Sequence, residues 1–284
     1  MARLILALIL ALVATPSLGD GLGNATKRFT DPALMQPSDW TDAAEMVRSW
    51  QSARVRVPDG KGGARAMSAH DLSQWHPPGG IRYPLAIYLH GCSGFWAGTD
   101  RRLNLLASLG FVAIAPASFA RMKYPQSCDT IRHRGGLYRH TLAMRQADAG
   151  HALDRGRILP SVDRRRVLLI GLSQGAITAA TYAARPGQHI TARVIEGWTC
   201  HSGWPDHRGV NAGSREAVLA LVGAADPWFR HPDVRGDCSA YLRPGANRQS
   251  IVYRKGQLAR THELLDHAQP RQALTAFLAA VFAH

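Results

Sequence analysis

The sequence predicts an α/β fold in which helices cover both faces of a mostly parallel, twisted sheet. Short runs of consecutive aliphatic residues are typical of strands that are buried on both faces. Segments with helical periodicity lie between these runs, and glycine or proline marks most of the junctions. The composition agrees, since 46% of the 284 residues are hydrophobic and 19% are charged. This balance supports a sizeable core and excludes a disordered chain.

The region before residue 81 predicts one strand followed by a break. Residues 52–57 alternate polar and apolar side chains and precede a Pro-Asp-Gly turn, which indicates a strand. The Pro-Pro-Gly-Gly run at 77–80 ends regular structure. A regular alternation of strands and helices is therefore expected only after this run.

The segments after residue 80 alternate between strand and helix patterns. Residues 85–89 and 111–115 are apolar runs that predict buried strands, and residues 100–109 between them have helical spacing. Residues 137–156 are amphipathic and residues 174–184 are alanine-rich, so both segments predict helices. The remaining expected elements are strands at 167–170, 194–197, 217–222 and 250–253 and a closing helix at 269–283. Because ligands bind beyond the carboxyl ends of parallel strands, the chemical residues should follow these strands.

The charge is strongly basic, with 34 Lys and Arg residues against 20 acids and a formal charge of +14. Such a charge favours anionic surfaces and substrates, including nucleic acids. The arginines are spread along the chain, however, and the densest run, 164–166, lacks the interleaved aromatics of a single-strand binder. We interpret the charge as a basic solvated surface and expect no nucleic-acid partner.

The first 19 residues have the features of a signal peptide. A short basic start precedes an apolar run at 4–14, and small residues follow it up to Gly19. The apolar run is too short to cross a bilayer, which takes about 20 residues. We expect cleavage near Gly19, an exported (periplasmic or secreted) protein without a membrane anchor, and a single domain over residues 20–284.

The four cysteines, Cys92, Cys128, Cys200 and Cys238, suggest two disulfides in an exported chain. Three pairings are possible. We favour Cys92–Cys128 and Cys200–Cys238, because each pair would join loops at the same edge of the sheet. No pair has the close spacing of a zinc site, so no metal is expected.

The motif with the most chemical meaning is Gly-Leu-Ser-Gln-Gly at 171–175. It follows a predicted strand and opens a predicted helix, which is the context in which G-x-S-x-G marks a nucleophile. Glycines two residues either side of Ser173 remove side chains that would clash in a tight turn. The serine hydroxyl would then project at a helix N-terminus, where developing negative charge is favoured.

A serine needs a base and a carboxylate to become a nucleophile, and this architecture orders them Ser, Asp, His along the chain. Asp226 follows the predicted strand at 217–222, and His262 follows the last predicted strand. His267 is the alternative base. The alternative acids are Asp233, Asp237 and Glu263.

The developing oxyanion needs backbone donors as well. One should be the amide of Gln174, directly after the nucleophile. The second should come from the His-Gly-Cys-Ser-Gly loop at 90–94, with the amide of Cys92 favoured and that of Gly91 as the alternative.

These motifs resemble the α/β-hydrolase superfamily, and within it the dienelactone-hydrolase-like family, over roughly residues 50–284. The resemblance rests on the loop at 90–94, the segment 111–119, the elbow at 171–175, the turn at 223–227 and Thr261-His262. It implies the α/β-hydrolase fold and maps the family triad onto Ser173, Asp226 and His262. The family's namesake enzymes have Cys at the elbow, whereas this chain has Ser173. The difference favours general ester, lactone or peptide-like acyl chemistry.

An aromatic segment at 198–207 follows a predicted strand and should border the active-site edge. Trp198 and Trp204 could form part of a substrate wall. His201, Asp206 and His207 could suggest a metal, but spacing places no further ligand.

The sequence therefore predicts an exported serine hydrolase that cleaves a small-molecule or polymeric ester, lactone or related acyl bond without a cofactor. Three alternatives remain open: an acyltransferase that uses the same site, a catalytically inactive binding protein of this fold, and a polyanion binder. The sequence does not indicate an oligomeric state.

Overall fold

The computed structural model describes residues 29–245 and 247–282. The predicted signal peptide, 1–19, lies outside the described residues. The strands are β1 (Arg54–Pro58), β2 (Ala64–Met67), β3 (Tyr83–Leu89), β4 (Val112–Ala115), β5 (Cys128–Asp129), β6 (Arg134–Gly135), β7 (Val162–Leu172), β8 (Ala192–Glu196), β9 (Ala217–Gly223) and β10 (Arg248–Tyr253). The helices are α1 (Pro37–Trp40), α2 (Ala43–Gln51), α3 (Ala69–Gln74), α4 (Ala97–Ser108), α5 (Thr141–Gly156), α6 (Gln174–Thr181) and α7 (Ala268–Phe282).

Eight strands form one sheet in the order β10-β9-β8-β7-β3-β4-β1-β2. The six strands from β10 to β4 in this order are mutually parallel, and β1 is antiparallel to both β4 and β2. β5 and β6 form a separate antiparallel hairpin. The parallel part brings the loops after β3, β7, β8 and β9 to one edge of the sheet.

The consecutive aliphatic residues of β7 face opposite layers of the core. Leu168 and Ile170 belong to the apolar cluster beneath α4 and α7, whereas Val167 and Leu169 belong to the cluster beneath α5 and α6. A strand that is covered on both faces needs apolar residues at every position, which is the pattern that predicted it. The helices on both faces are joined to the strands by crossovers, as a parallel sheet requires.

Two predicted elements begin four or more residues away from their predicted starts, whereas the bounds of the other predicted elements differ by at most three residues. α5 begins at Thr141 rather than at 137, because residues 137–140 form a bend and turns and Leu137 is exposed. β7 begins at Val162 rather than at 167, because its first two residues pair with the start of β3 before a register shift. The first difference lies at the carboxyl edge, where Tyr138 lines a cavity together with Ser173, and the second lies at the start of β7, away from that edge.

None of the helices in the described ranges combines the length and the apolarity needed to cross a bilayer.

Candidate active site

Ser173 lies in a strained turn between β7 and α6. Its backbone has φ +57° and ψ −118°, a region that residues with a side chain rarely adopt and that is often retained for function. The turn packs so closely that a Cβ at Gly175 would lie 2.0 Å from the carbonyl oxygen of Leu89. A Cβ at Gly171 would lie 2.2 Å from the carbonyl oxygen of Gly175. Both glycines of the motif are therefore required for steric reasons.

Backbone hydrogen bonds fix the same turn in the sheet. The Ser173 amide donates to the carbonyl of Glu196 at the end of β8 (2.8 Å), and the Ser173 carbonyl accepts from Ile177 in the first turn of α6 (3.0 Å). The serine therefore caps a helix whose positive dipole end points toward the carboxyl edge of the sheet.

Asp226 and His262 form a buried hydrogen-bonded pair. His262 Nδ1 donates to Asp226 Oδ2 over 2.7 Å, and the two residues are only 6% and 4% exposed. The other carboxylate oxygen, Oδ1, accepts from the amide of Trp228 over 3.0 Å, so the carboxylate is held from two sides. With the proton on Nδ1, the second ring nitrogen, Nε2, is left with a free lone pair.

His262 Nε2 has no hydrogen-bond partner within the part of the chain that the structure describes. Ser173 and His262 both line a crevice cavity of about 680 Å³ and an adjoining one of about 730 Å³. The Ser173–His262 hydrogen bond of a complete triad is thus not formed in the structure, although both residues border the same space. Catalytic hydrogen bonds are often long until substrate binds.

Three of the four rival residues border the two cavities: His267 and Glu263 border the smaller one, and Asp233 borders the larger. His267 directly precedes α7 and borders the smaller cavity, but it is His262 that bonds Asp226. The carboxylate of Asp237 caps a short 3-10 helix, and that of Asp233 lies 3.6 Å from Nδ1 of His231.

The loop after β3 passes directly beside the nucleophile. A Cβ at Gly91 would lie 3.6 Å from Cβ of Ser173, and Cys92 borders both cavities. Among the described residues, no acceptor is bonded to the backbone N–H of Cys92 or of Gln174. Neither predicted donor is therefore engaged by another group of the described residues.

Disulfides join Cys92 to Cys128 and Cys200 to Cys238, the pairing that the sequence analysis favours, with Cα atoms 6.0 and 4.9 Å apart. The first ties the loop after β3 to the β5–β6 hairpin, and the second ties the loop after β8 to a short 3-10 helix at Cys238–Tyr241. Both therefore fasten loops at the carboxyl edge of the sheet.

The larger cavity has aromatic walls. Trp198 and Trp204 both line it, but Trp198 is almost buried and packs edge-on against Phe229, with ring centroids 5.8 Å apart. Trp204 is half-buried, so more of its ring faces the cavity.

Two wall residues were not predicted from the sequence. Trp228 stacks on His262 with centroids 5.2 Å apart, and His133 of the β5–β6 hairpin makes an edge contact with Trp228 at 5.5 Å. Trp228 lies two positions after Asp226 in the sequence. This closeness to the predicted acid is the feature from which its place in the site could have been predicted. His133, with φ +49°, lies in a turn whose place over the site follows from the disulfide at Cys128.

Of the three residues weighed as metal ligands, Asp206 and His207 contact each other at 3.4 Å, and His201 bonds elsewhere. His201 Nε2 contacts the carbonyl of Asp237 at 3.1 Å, whereas Asp206 pairs with Arg139 at 2.8 Å. No group of three or more His, Cys, Asp or Glu side chains within 29–245 and 247–282 is arranged to hold a metal ion.

No protein-family model and no curated protein matches the sequence. Solved structures do match. The 2,6-dihydroxy-pseudo-oxynicotine hydrolase has a TM-score of 0.51 at 14% identity, over 81% of this chain and 64% of that chain. Est1E from Butyrivibrio proteoclasticus has a TM-score of 0.50 at 14% identity, over 82% and 94%. A provisionally named dienelactone hydrolase from Klebsiella pneumoniae has a TM-score of 0.49 at 21% identity, over 69% and 88%.

Likeness at this level of identity concerns the arrangement of the backbone. The first two structures align with more than four fifths of this chain. The chain therefore has the α/β-hydrolase fold, which confirms the fold class predicted from the sequence.

Proposed function

We propose that this protein is an exported serine hydrolase that cleaves a carboxylic ester, lactone or related acyl bond. The observation that carries the proposal is the buried Asp226–His262 hydrogen bond beside a serine held at positive φ. A free Nε2 on an oriented imidazole is what a general base requires. A solved structure of the same fold is named as a hydrolase, which agrees with this reading.

In the proposed reaction, Ser173 Oγ attacks the carbonyl carbon while its proton passes to His262 Nε2. The oxyanion that forms accepts hydrogen bonds from the amides of Gln174 and Cys92, each worth about 3–4 kcal/mol in the transition state. His262 then returns the proton to the leaving alcohol, and an acyl-enzyme ester on Ser173 remains. Asp226 stays ionised and stabilises the imidazolium.

Deacylation repeats these steps with water as the nucleophile. His262 takes a proton from water, the hydroxide attacks the acyl carbon, and the collapse of the second oxyanion releases the acid and restores Ser173. The chain's own side chains and amides supply every group in this scheme.

We assign the larger cavity to an apolar or aromatic part of the substrate, because Trp204, Trp228 and Phe229 line it. The smaller cavity carries Arg260, Glu263 and other polar groups, which suit a more polar part of the same ester. The aromatic rings of the larger cavity offer large contact areas to an apolar or aromatic group of the substrate.

The test is Ser173→Ala measured on p-nitrophenyl esters of increasing chain length. We expect normal folding and loss of hydrolysis, together with loss of labelling by a fluorophosphonate probe that marks Ser173 in the wild type. Ser108→Ala is a matched control, since that hydroxyl bonds a carbonyl on the surface of α4. Near-wild-type turnover by Ser173→Ala, or no labelling of the wild type, would refute the assignment.

Export with cleavage near Gly19, leaving one domain over 20–284, is part of the same proposal. The two disulfides are compatible with an oxidising compartment. The N-terminal residue of the exported protein, determined by mass spectrometry, tests it.

A further inference from the structure

Arg145 is a buried cation directly behind the loop after β3. It lies on α5 and is 1% exposed. Its Nη2 donates to the carbonyl of His90 over 2.5 Å, and its Nη1 lies 3.0 Å from each ring nitrogen of His90. Burial raises the pKa of the nearby Tyr124 hydroxyl, and the charge of Arg145 acts on it in the opposite direction.

The charge of Arg145 has no counter-ion among the described residues. The other fully buried arginines each face a carboxylate: Arg102 pairs with Glu196, Arg121 with Asp148, and Arg193 with Glu216. No carboxylate in the described ranges lies within ion-pair distance of Arg145. An unpaired buried charge costs several kcal/mol, so a neutral side chain would favour stability here.

The position of Arg145 links it to both predicted oxyanion donors. His90, which it contacts, begins the loop that contains Cys92. Tyr124, whose hydroxyl lies within the influence of the Arg145 charge, donates to the side-chain oxygen of Gln174 over 3.4 Å. The guanidinium therefore bonds the start of the loop that contains Cys92, and it lies near the tyrosine that bonds the Gln174 side chain.

We propose that Arg145 is a positioning residue that holds the loop with the Cys92 amide, and that its charge, which no carboxylate of the described residues pairs, is balanced by the oxyanion of the transition state. The inference rests on the acyl-transfer function proposed above. A fixed cation in a site of low dielectric attracts a charge that appears only during reaction, and it does so without reorganisation. Burial and the charge of Arg145 hold the pKa of His90 well below its usual range, so His90 stays neutral and adds no second cation.

The first test compares Arg145→Met, which removes the charge, with Arg145→Lys, which keeps it. We expect Arg145→Met to lower kcat about 100-fold while KM changes by less than about threefold, because the interaction exists only in the transition state. Arg145→Lys should keep kcat within about tenfold of the wild type. Arg145→Lys preserves the buried charge, so it can still be measured if Arg145→Met folds poorly. Equal kcat losses in the Met and Lys variants would overturn the role of the charge.

Two further readouts separate electrostatics from packing. The affinity of phenylboronic acid, which forms an anionic tetrahedral adduct on a reactive serine, should fall in Arg145→Met by the same factor as kcat. Added guanidinium at concentrations below those that unfold the protein should restore part of the activity of Arg145→Ala. Urea, its neutral analogue, should not; equal rescue by urea would overturn the proposal.

Arg193→Met is the matched control, because Arg193 is equally buried but pairs with Glu216 near the amino end of β9. It should lose stability and keep kcat.

If the wild type hydrolyses esters and Ser173 is labelled but Arg145→Met keeps full kcat, only this inference fails. If the wild type neither hydrolyses esters nor is labelled, the proposed function fails first.

Discussion

The indole of Trp228 stacks on the imidazole of His262, with ring centroids 5.2 Å apart and planes inclined by 26°. The same residue donates its backbone N–H to Asp226 Oδ1. Trp228 thus restrains the imidazole by its ring and the carboxylate by its amide. The relationship joins two segments that are far apart in the sequence, and it orients the proposed base without taking part in proton transfer.

We expect Trp228→Ala to lower kcat about 10- to 100-fold, because a freed imidazole spends less time in the reactive orientation. Trp228→Phe keeps an aromatic ring, so its kcat should decrease much less. Steady-state kinetics on a p-nitrophenyl ester measure both. Trp75→Ala is the control, since Trp75 stacks on Tyr83 near the amino end of β3; it should reduce stability but not kcat, and a similar kcat loss in both alanine variants would contradict the assignment.

The Asp226–His262 hydrogen bond gives a second prediction. Asp226→Asn retains the shape of the side chain but lets its amide donate to Nδ1, which would place the imidazole proton on Nε2 and remove the base. We expect kcat to fall on the order of 10³- to 10⁴-fold with little change in KM. The value of kcat and the rate of fluorophosphonate labelling should decrease together. A variant whose kcat lies within tenfold of the wild-type value would contradict the proposed role of Asp226.

The sequence predicts those parts of the fold in which local pattern and burial agree. The central strands are covered on both faces, so their apolar runs are long enough to recognise. β2 was not predicted, because it is an edge strand whose four residues show no alternation of burial. The β5–β6 hairpin has only two residues in each strand, too few for any periodicity.

The residues of the candidate site likewise fall into those that the sequence predicts and those that it does not. Ser173, Asp226 and His262 can be proposed from the sequence because each follows a recognisable strand, and strand order brings such loops to one edge. The contact between His133 and Trp228 depends on how a disulfide-tied hairpin lies over the site, which no local pattern contains. The missing counter-ion of Arg145 likewise becomes apparent only when all neighbouring carboxylates are placed.

Gly175 provides a third prediction, about stability. Gly175→Ala would put a methyl group 2.0 Å from the carbonyl oxygen of Leu89 and 2.5 Å from its carbon, and both atoms belong to the backbone of β3. We expect a loss of at least about 3 kcal/mol in the free energy of unfolding, or no soluble protein. Gly135→Ala is the control, since no atom lies within 4 Å of its added Cβ. Denaturant titration compares the two, and equal stability would contradict the close packing.

The two disulfides give a fourth prediction because they close loops of similar length, 36 and 38 residues. Removing either pair by double Cys→Ser substitution should cost about 4 kcal/mol of unfolding free energy in the chain-entropy model. Only the loss of Cys92–Cys128 should also reduce kcat, because that bridge holds the loop with the proposed oxyanion donor. Calorimetry and kinetics on both double variants separate the effects; equal kcat losses would contradict a special role for the first bridge.

The burial of His90 leads to a prediction about how the free energy of unfolding depends on pH. Its burial and the charge of Arg145 hold its pKa well below the usual value, so the folded protein keeps the ring neutral where the unfolded chain protonates it. The unfolded state therefore binds more protons below about pH 6.5, and stability falls as the pH decreases through that range. The contribution of His90 to stability is therefore fully present above this range and is lost as the pH falls through it.

His90→Gln should remove that pH dependence while other groups keep theirs, so the stability difference between variant and wild type should narrow as the pH falls from 7 to 5. Burial also lowers the pKa of His207, so His207→Gln should remove a contribution of the same sign. Urea titrations at several pH values measure the slopes. Parallel curves for wild type and His90→Gln would show that the pKa of His90 is the same in the folded and unfolded states, contrary to its place against the guanidinium of Arg145.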